Sequence, residues 1–454
     1  MKNNVKFGLY GLFGLVALAT LMAYAPTMNF GFMFDDAPTI VDNFYLKLQS
    51  YGSLFFAHSR WVSMIMNAFT YHTWGLRPYA FRVFNLGMHI FNAFLLFIIF
   101  KTLLAGLKRS SFAKKNAGLI SVLAAGLFLL HPVQTQTATY ITQMRLEGLA
   151  TCFVLLIIGL FVLATKLKKV WLKVACFGFA TFLAAISAGT KEIIVMLPIL
   201  LLMVDLFFIA QWKHWKEFLF RLPVHALIAV ALYGSFYRFS FSSTVPFSLS
   251  SVVSLDAALD CNRGNLLTEA PTVKITALRY MISEFKVLLH YIIMFFLPRG
   301  LSFDYDYKMA ESFWQFDVVA PLMALIAIFS AAVFSWLRDK SSLVAFSIVW
   351  FFLAVGPRAS IVPSAEMAND YKTYLGSVGM MLLLSYLVVY VVMWIAAFLR
   401  EHGWKWSDRA YQYAFAFLLL FSSYKATVAR NDVWSSDLKF WGDVIRKAPN
   451  KSRA

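Results

Sequence analysis

The segment FRVFNLGMHIFNAFLLFIIFKTLL (Phe81–Leu104) decides the class of the protein. Its second half is an almost unbroken apolar run, and an α-helix needs about 20 mainly apolar residues to cross a bilayer. Comparable segments recur from Gly8 to Tyr424. The 454-residue chain is 60% apolar and only 14% charged, which lies outside the range of soluble globular domains. We therefore expect an all-α, polytopic membrane protein.

The basic residues carry topological information. The formal net charge is +18, but most Lys and Arg stand in short clusters between the apolar segments. Because positive charge marks cytoplasmic loops, these clusters predict orientation and do not indicate a nucleic-acid partner. The N-terminus combines a basic start with an apolar run, and a first transmembrane helix is favoured over a cleaved signal peptide because many spans follow.

The positions of the basic clusters require one departure from simple in–out alternation of the apolar segments, which we call the change of parity. If every apolar segment crossed, Arg338–Lys340 and Arg400–Arg409 would lie outside, against the positive-inside rule. We place the change between Leu222 and Leu297, as either a re-entrant or interfacial segment or an additional span within Ser240–Ala270. About 11 to 13 transmembrane helices then result. The polar segments that would share the outer face are Pro26–Tyr79, His131–Gly148, Ala188–Glu192, Pro298–Gln315 and Gly356–Tyr374.

Two further segments differ from the spans. Residues Ser53–Leu76 mix aromatic and polar side chains and predict an amphipathic helix in the membrane interface. Residues 431–454 have a soluble character, with Trp441, Val444 and Ala448 at helical spacing before Pro449. We divide the chain into a membrane domain, 1–430, and a C-terminal region, 431–454, which is either a lone helix or the truncated start of a helical repeat array.

The first outer segment contains FMFDDAPTIVDN, in which Asp35 and Asp36 follow one another close to the membrane surface. Adjacent like charges raise at least one carboxyl pKa, which suits a general base or a ligand for a cation. The alternative is a turn in which Asp36 caps a short helix ahead of Pro38. The two residues alone leave both interpretations open.

The other outer segments add ionisable groups at the ends of spans, where such groups are functional candidates. Arg145 and Glu147 either serve a site or pair with each other, and Gln134 and Gln136 are expected to be solvated loop residues. Lys191 and Glu192 form either the solvent-exposed tip of a helical hairpin or, through Lys191, a contact for a lipid phosphate. The remaining groups of the set are His131, Arg299, Asp304, Asp306, Glu366, Asp370, Tyr371, Lys372 and Tyr374.

The chemistry of this face favours transfer of a sugar. The sequence has no glycine-rich phosphate loop and no metal-type ligand spacing, which argues against nucleotide substrates. In glycosyl transfer from a polyprenyl phosphate, a carboxylate deprotonates the acceptor hydroxyl and Arg or Lys stabilises the departing phosphate. Acids and bases at an outer membrane surface meet that requirement.

The same segments resemble a known family. Matching features, in order along the chain, are FMFDDAPTIVDN, RVFNLGMHIFNAFLL with Asn85 and His89, HPVQTQTATYITQMRLEG, SAGTKEIIVMLP, LPRGLSFDYDY, NDYKTYLGSVG and WSSDLKFWGDVIRKAPNKSRA. Together they resemble the membrane part of the transmembrane-and-tetratricopeptide O-mannosyltransferase-like proteins, within the GT-C superfamily of polyprenyl-phosphate-dependent glycosyltransferases. The resemblance implies a GT-C-like fold with interfacial helices in the first outer loop.

By that resemblance, Asp35 and Asp36 match the superfamily's catalytic acidic pair, with Asp35 the first choice of base. The sequence departs from the pattern at Met144, which replaces a Gly, and at Tyr371, where Arg is usual and Lys372 follows. A divalent cation (Mg or Mn) at the pair stays open, although the resemblance implies no catalytic metal. The implied contacts to donor phosphate or substrate are Arg60, Arg82, His131, Arg145, Glu147, Lys191, Glu192, Asp370, Tyr371 and Lys372.

The predicted function is therefore transfer from a polyprenyl-phosphate-linked sugar in the bilayer to a hydroxyl, expected to be Ser or Thr of a protein recruited by the C-terminal repeats. The expected location is a bacterial inner membrane with a periplasmic site, the alternative being the endoplasmic reticulum. A lipid-linked sugar flippase, an O-oligosaccharyltransferase and a non-catalytic scaffold are the competing functions.

Overall fold

The computed structural model describes residues 2–449 except 49, 109, 243–276, 361–363, 365 and 403–406. All regular secondary structure in these ranges is helical. We number the α-helices in chain order: α1 Lys2–Tyr24, α2 Phe44–Leu48, α3 Tyr51–Ala57, α4 Trp61–Trp74, α5 Pro78–Ala105, α6 Ser111–Lys115, α7 Ala117–Leu130, α8 Thr135–Thr139, α9 Ile141–Gln143, α10 Leu149–Lys166, α11 Val170–Ser187, α12 Leu197–Val204, α13 Trp215–Ser242, α14 Ala277–Phe296, α15 Phe316–Arg338, α16 Leu343–Val355, α17 Tyr374–Glu401, α18 Asp408–Asp432 and α19 Asp437–Lys447.

The helices confirm an all-α polytopic membrane protein. In the described ranges, 8 helical segments are long and apolar enough to cross a membrane, or 9 if α7 and the bent helix after it count as one span. The shorter apolar helix α16 and the more polar α18 run alongside them. These helices pack as a bundle whose interior is apolar, with α16 against α17 and α5 against α7 among the most extensive pairs.

Contacts between helix ends define two opposite ends of the bundle. At one end, Asn431 donates to the Ala23 carbonyl (3.1 Å) and Thr427 to the Leu130 carbonyl (2.7 Å). At the other, Gln211 donates to the Gly106 carbonyl (3.0 Å). The second end carries the basic loops of the first half of the chain, so we call it the inner end and the first the outer end.

Helix α14 accounts for the change of parity. Arg279 at its start donates to the Ala310 carbonyl (2.7 Å), and the Ala310 amide donates to the Ser283 hydroxyl (2.7 Å). The chain therefore leaves α14 and returns to where the helix began, before α15 runs to the inner end. This geometry agrees with the alternative of a re-entrant or interfacial segment. The other alternative, a span within 240–270, lies mostly outside the described residues.

The first outer loop forms interfacial helices, as expected, but the predicted helix over Ser53–Leu76 is broken into α3 and α4 at residues 58–60. The break has a tertiary cause. The Val62 amide donates to the Gly189 carbonyl (2.9 Å), and a Cβ at Gly189 would clash with Trp61 Nε1. Close approach of the 188–192 loop thus sets the start of α4. Exposed aromatic side chains on these helices include Phe56 and Phe69, as interfacial helices require.

Candidate functional site

The segment His131–Gly148 lies at the centre of the outer end and is buried along almost its whole length. The chain bends by 49° between α7 and the short helical stretch that ends with α8, whereas α9 and the π-helix Met144–Gly148 continue into α10 as one candidate span. Irregular backbone at membrane depth is tolerated only where protein or a water-filled cavity surrounds it. Here protein surrounds it, and its polar side chains reach the other outer segments.

Gln134 and Gln136 show this role, and the prediction that they are solvated loop residues is wrong. Both are buried, Gln134 1% and Gln136 0% exposed. Gln134 Nε2 donates to the Ser377 hydroxyl (2.8 Å), and Gln136 Oε1 accepts the Tyr371 amide (3.0 Å). They join the segment to the start of α17, because a buried amide needs partners within the protein.

The two adjacent aspartates have different surroundings. Asp36 is fully buried: Oδ1 accepts the Thr142 amide (2.8 Å) and hydroxyl (2.6 Å), and Oδ2 accepts the Met33 amide (3.1 Å). Burial raises the pKa of the Asp36 carboxyl, against the hydrogen bonds from Thr142 and the charge of Arg82. Asp36 therefore ties the first outer loop to the central segment and is enclosed away from solvent.

Asp35 is partly exposed, and its backbone is held in place. Its amide donates to the Tyr140 hydroxyl oxygen (2.9 Å). Burial raises the pKa of Tyr140, and the charges of Asp35 and Asp36 raise it further. The preceding Phe34 has φ +45°, a left-handed conformation that costs energy for an aromatic residue and is common where function constrains the backbone. Asp35 is thus presented on a constrained turn.

Arg82 and Arg145 lie behind the aspartates. Arg82 donates to the carbonyls of Thr139 and Gly31 (2.6 Å to the latter), which clamps the first loop onto the central segment. Arg145 donates to the Met66 carbonyl (2.8 Å) and stands 4.7 Å from the centre of the Phe81 ring. Both guanidinium groups are buried. In the described part of the chain, Arg82 Nε and Arg145 Nε and Nη2 have no hydrogen-bond partner.

Glu147 joins two cations, and the alternative that it pairs with Arg145 is wrong. Its carboxylate meets Lys191 Nζ (2.7 Å) and the Arg358 guanidinium (2.5 and 2.8 Å). Lys191 also donates to Gln143 (3.2 Å) and lies 5.0 Å from the Tyr371 ring centre. Burial lowers the pKa of Lys191 to about 8 despite the Glu147 charge. Two cations on one carboxylate leave an excess of positive charge.

Arg358 was missed by sequence reasoning. Arg358 follows the apolar helix α16 at the outer end. Once the change of parity is included, the sequence places it in an outer segment, and this position could have marked it as a candidate. The neighbouring pair of Arg60 and Glu192 is bidentate (2.9 Å for each bond) but lies near the surface, with side chains 43% and 52% exposed. Such exposed pairs contribute little energy. In the Lys191–Glu192 hairpin tip, the Lys191 side chain is therefore mostly buried in the site, whereas the Glu192 side chain lies partly in solvent.

The remaining predicted residues stand at the edges of the site. Asp370 Oδ1 accepts the Tyr305 hydroxyl (2.5 Å), and the Tyr371 hydroxyl donates to Glu366 (3.0 Å). Lys372 Nζ donates to the backbone carbonyls of Glu366 and Met367, so it caps its own loop. His131 caps the turn after α7 through Nδ1, while its Nε2 contacts the Phe295 carbonyl (3.1 Å). His131 and Lys372 thus support the backbone.

The aspartate pair does not fit a divalent cation as a pair. Both oxygens of Asp36 already accept protein N–H or O–H groups. Among the residues with described positions, no group of three His, Cys, Asp or Glu side chains is arranged to hold a metal ion. We derive no step through a metal.

Comparison with known proteins gives matches only among solved structures. No family model matches the sequence, and neither does any curated protein. Three matching structures are of an oligosaccharyltransferase from Archaeoglobus fulgidus: AglB in complex with an inhibitory peptide and a dolichol-phosphate (13% identity, TM-score 0.49), the apo form (11%, 0.48), and a form tethered to an acceptor peptide containing the NVT sequon (12%, 0.49).

These matches cover 95% of this chain but only 55–56% of the solved ones, so the chain spans about half the length of the structures it matches.

Glu147→Gln tests whether the buried ion cluster holds the outer end together. The substitution leaves Lys191 and Arg358 buried without a counter-charge, and breaking a buried pair costs about 3–5 kcal/mol. Glu192→Gln is the matched control, since an exposed pair contributes about 0–1 kcal/mol. Unfolding of the purified variants in nanodiscs, followed by intrinsic fluorescence, measures both. Equal stabilities for the two variants would contradict the assignment of Glu147 as a buried structural charge.

Proposed function

We propose that this chain is a GT-C-like membrane glycosyltransferase that moves a sugar from a polyprenyl-phosphate donor to an acceptor hydroxyl at the outer end. The observation that carries the proposal is the placement of one partly exposed carboxylate, Asp35, and a positively charged cluster, Lys191 and Arg358, around the same buried segment. Thr142 bonds Asp36, and the next residue, Gln143, bonds Lys191. The acid and the cations are therefore neighbours along one strip of chain.

Asp35, Lys191 and Arg358 can act together in one nucleophilic displacement at the anomeric carbon of the sugar. Asp35 accepts the proton of the acceptor hydroxyl as its oxygen bonds to the anomeric carbon of the sugar. The bond from that carbon to the phosphate oxygen breaks, its electron pair leaves with the polyprenyl phosphate, and Lys191 and Arg358 stabilise the added negative charge. Asp35 then releases the proton to water. Asp36 and Tyr140 position the base, and Glu147 positions the cations.

The surroundings suit a donor that lies in the bilayer. An apolar cavity of about 270 Å³ opens between α4 and α5, lined by Tyr51, Ile65, Met66, Phe69 and Phe84. Arg145 lies beside it, 5.2 Å from the centre of the Phe84 ring and bonded to the Met66 carbonyl. An isoprenoid chain can contact these side chains while its phosphate remains at the membrane surface.

The finer assignments belong to the same proposal. We propose Ser or Thr of a protein as acceptor and the periplasmic side of a bacterial inner membrane as location. Helix α19 packs against the site through Phe440 and Val444, which contact Trp434 and Phe303. Because α19 lies beside the site, we also propose that the C-terminal region, 431–454, begins a tetratricopeptide-like array that brings the acceptor there.

Asp35→Asn tests the base directly. The amide keeps the shape of the carboxylate but cannot take the proton, so transfer should fall by about 10²–10⁴-fold while folding is retained. Asp42→Asn, an exposed residue of the same loop, should transfer normally. Asp36→Asn should lower stability, because both Asp36 oxygens are hydrogen-bonded. Transfer is measured with purified protein, polyprenyl-phosphate hexoses and Ser/Thr peptides, with mass spectrometry of the product.

Full transfer by Asp35→Asn would overturn the catalytic role of Asp35. Movement of the lipid-linked sugar across the membrane without a covalent product would replace the proposal by a flippase. The mass added to the peptide distinguishes one sugar from an oligosaccharide.

Donor binding should depend on pH through Lys191. Its pKa of about 8 means that the ammonium is charged below pH 8 and loses its charge as the pH rises above it. The KM for donor should therefore rise above pH 8. Lys191→Arg should remove that rise, because a guanidinium stays charged. The measurement is KM for donor between pH 6.5 and 9.5 in both proteins, and a rise of equal size in Lys191→Arg would exclude Lys191 as its source.

A further inference from the structure

Three rings form an open aromatic corner at the outer end. Tyr305 and Tyr307 come from the segment after α14 and are stacked with ring centres 5.9 Å apart. His290 of α14 lies edge-on to both, 5.0 Å from Tyr305 and 5.9 Å from Tyr307. All three side chains are partly exposed. The corner therefore presents an apolar surface that solvent can reach.

A buried carboxylate lies against these rings with one oxygen unused. Asp370 is 1% exposed, and its Oδ1 accepts the Tyr305 hydroxyl (2.5 Å). Its Oδ2 has no hydrogen-bond partner in the described ranges, nor has His290 Nε2. The Tyr307 hydroxyl is close enough to Asp370 that, after burial, the carboxylate charge helps to raise the Tyr307 pKa to about 12. A buried polar atom without a partner is costly, so these atoms indicate a ligand that donates hydrogen bonds.

The combination selects the class of ligand. A hydrocarbon chain would leave Asp370 Oδ2 and His290 Nε2 unsatisfied. A phosphodiester has only acceptor oxygens and could not donate to Asp370 Oδ2, although the charges of Arg430 and Lys447 also act on this carboxylate. A pyranose ring has an apolar C–H face that packs on aromatic rings and an edge of hydroxyl groups that donate to a carboxylate. The corner is complementary to a sugar.

The corner is linked to Asp35 by one short stretch of chain. Phe303, two residues before Tyr305, contacts the rings of Phe34 (5.0 Å) and Tyr140 (5.9 Å). Phe34 directly precedes Asp35, and Tyr140 holds the Asp35 amide. A sugar bound in the corner would therefore lie on the same side of the site as the proposed base.

We propose that Tyr305, Tyr307, His290 and Asp370 form the subsite that binds the hexose ring of the donor. This inference rests on the proposed function, because it names the part of the donor that these residues recognise. The rings pack on the C–H face of the sugar, and Asp370 Oδ2 accepts from one of its hydroxyl groups. The cations at Lys191 and Arg358 are left for the phosphate.

The test uses methyl hexopyranosides (manno, gluco and galacto) as probes of the full chain in phospholipid nanodiscs, without sugar-based detergents. Saturation-transfer NMR should detect binding of at least one probe to the wild-type protein through its ring protons. Tyr307→Ala and Asp370→Asn should each weaken binding by about tenfold, through loss of ring packing and of the charged acceptor. Tyr307→Phe, which keeps the ring, should bind within about twofold of wild type, as should Trp314→Ala, an exposed aromatic in the same outer segment.

Unfolding curves identify any variant that fails to fold, and if Tyr307→Ala does so, Asp370→Asn carries the test, with Tyr307→Phe as the control. Binding to Tyr307→Ala equal to that of wild type, or no binding of any hexoside by wild type at millimolar concentration, overturns the subsite. Loss of hexoside binding with transfer unchanged also overturns the subsite and leaves the transferase proposal standing. Binding as expected in a protein that transfers no sugar supports the subsite and overturns the transferase.

Discussion

The outer end depends on one constraint: a bent, polar segment of chain, His131–Gly148, is buried between the end of α7 and the start of α10. Lipid offers no hydrogen bonds to its side chains, and most of the polar ones bond to another segment of the protein. Those partners are Ser377 and Tyr371 near α17, Asn431 at the end of α18, the Asp35–Asp36 turn and Lys191. Satisfying this segment brings the separate outer segments together.

The same constraint separates the two aspartates into different roles. Both oxygens of the Asp36 carboxylate are occupied by hydrogen bonds that hold the loop to this segment, whereas Asp35 is partly exposed and its amide is fixed on Tyr140. The left-handed backbone at Phe34 is the cost of that turn, and contacts to Phe303 and Trp441 stabilise it. Helix α19 thus contributes to the position of the base although it lies far from it in sequence.

Much of this arrangement could be predicted from the sequence. The length of the apolar runs identifies the spans. Simple alternation of those spans would put the basic cluster at Arg338 outside, and the positive-inside rule therefore locates the change of parity before it. The return of the chain after α14 explains that change. Local pattern could not separate Asp35 from Asp36, nor find Tyr140 and Arg358, because their partners are more than 60 residues away in the chain. The burial of Gln134 and Gln136 was not predicted for the same reason, because a polar loop has the same sequence pattern whether water or protein surrounds it.

Sidedness is the most direct test of the central claim that sugar is transferred at the outer end. Proteoliposomes with the protein in one known orientation, mapped by labelling a cysteine placed at Ser53, would contain donor in both leaflets and receive a membrane-impermeant acceptor peptide on one side only. Product should form only when the peptide is on the side of Ser53 and Asp35. Product formed only with peptide on the side of the basic inner loops would contradict it.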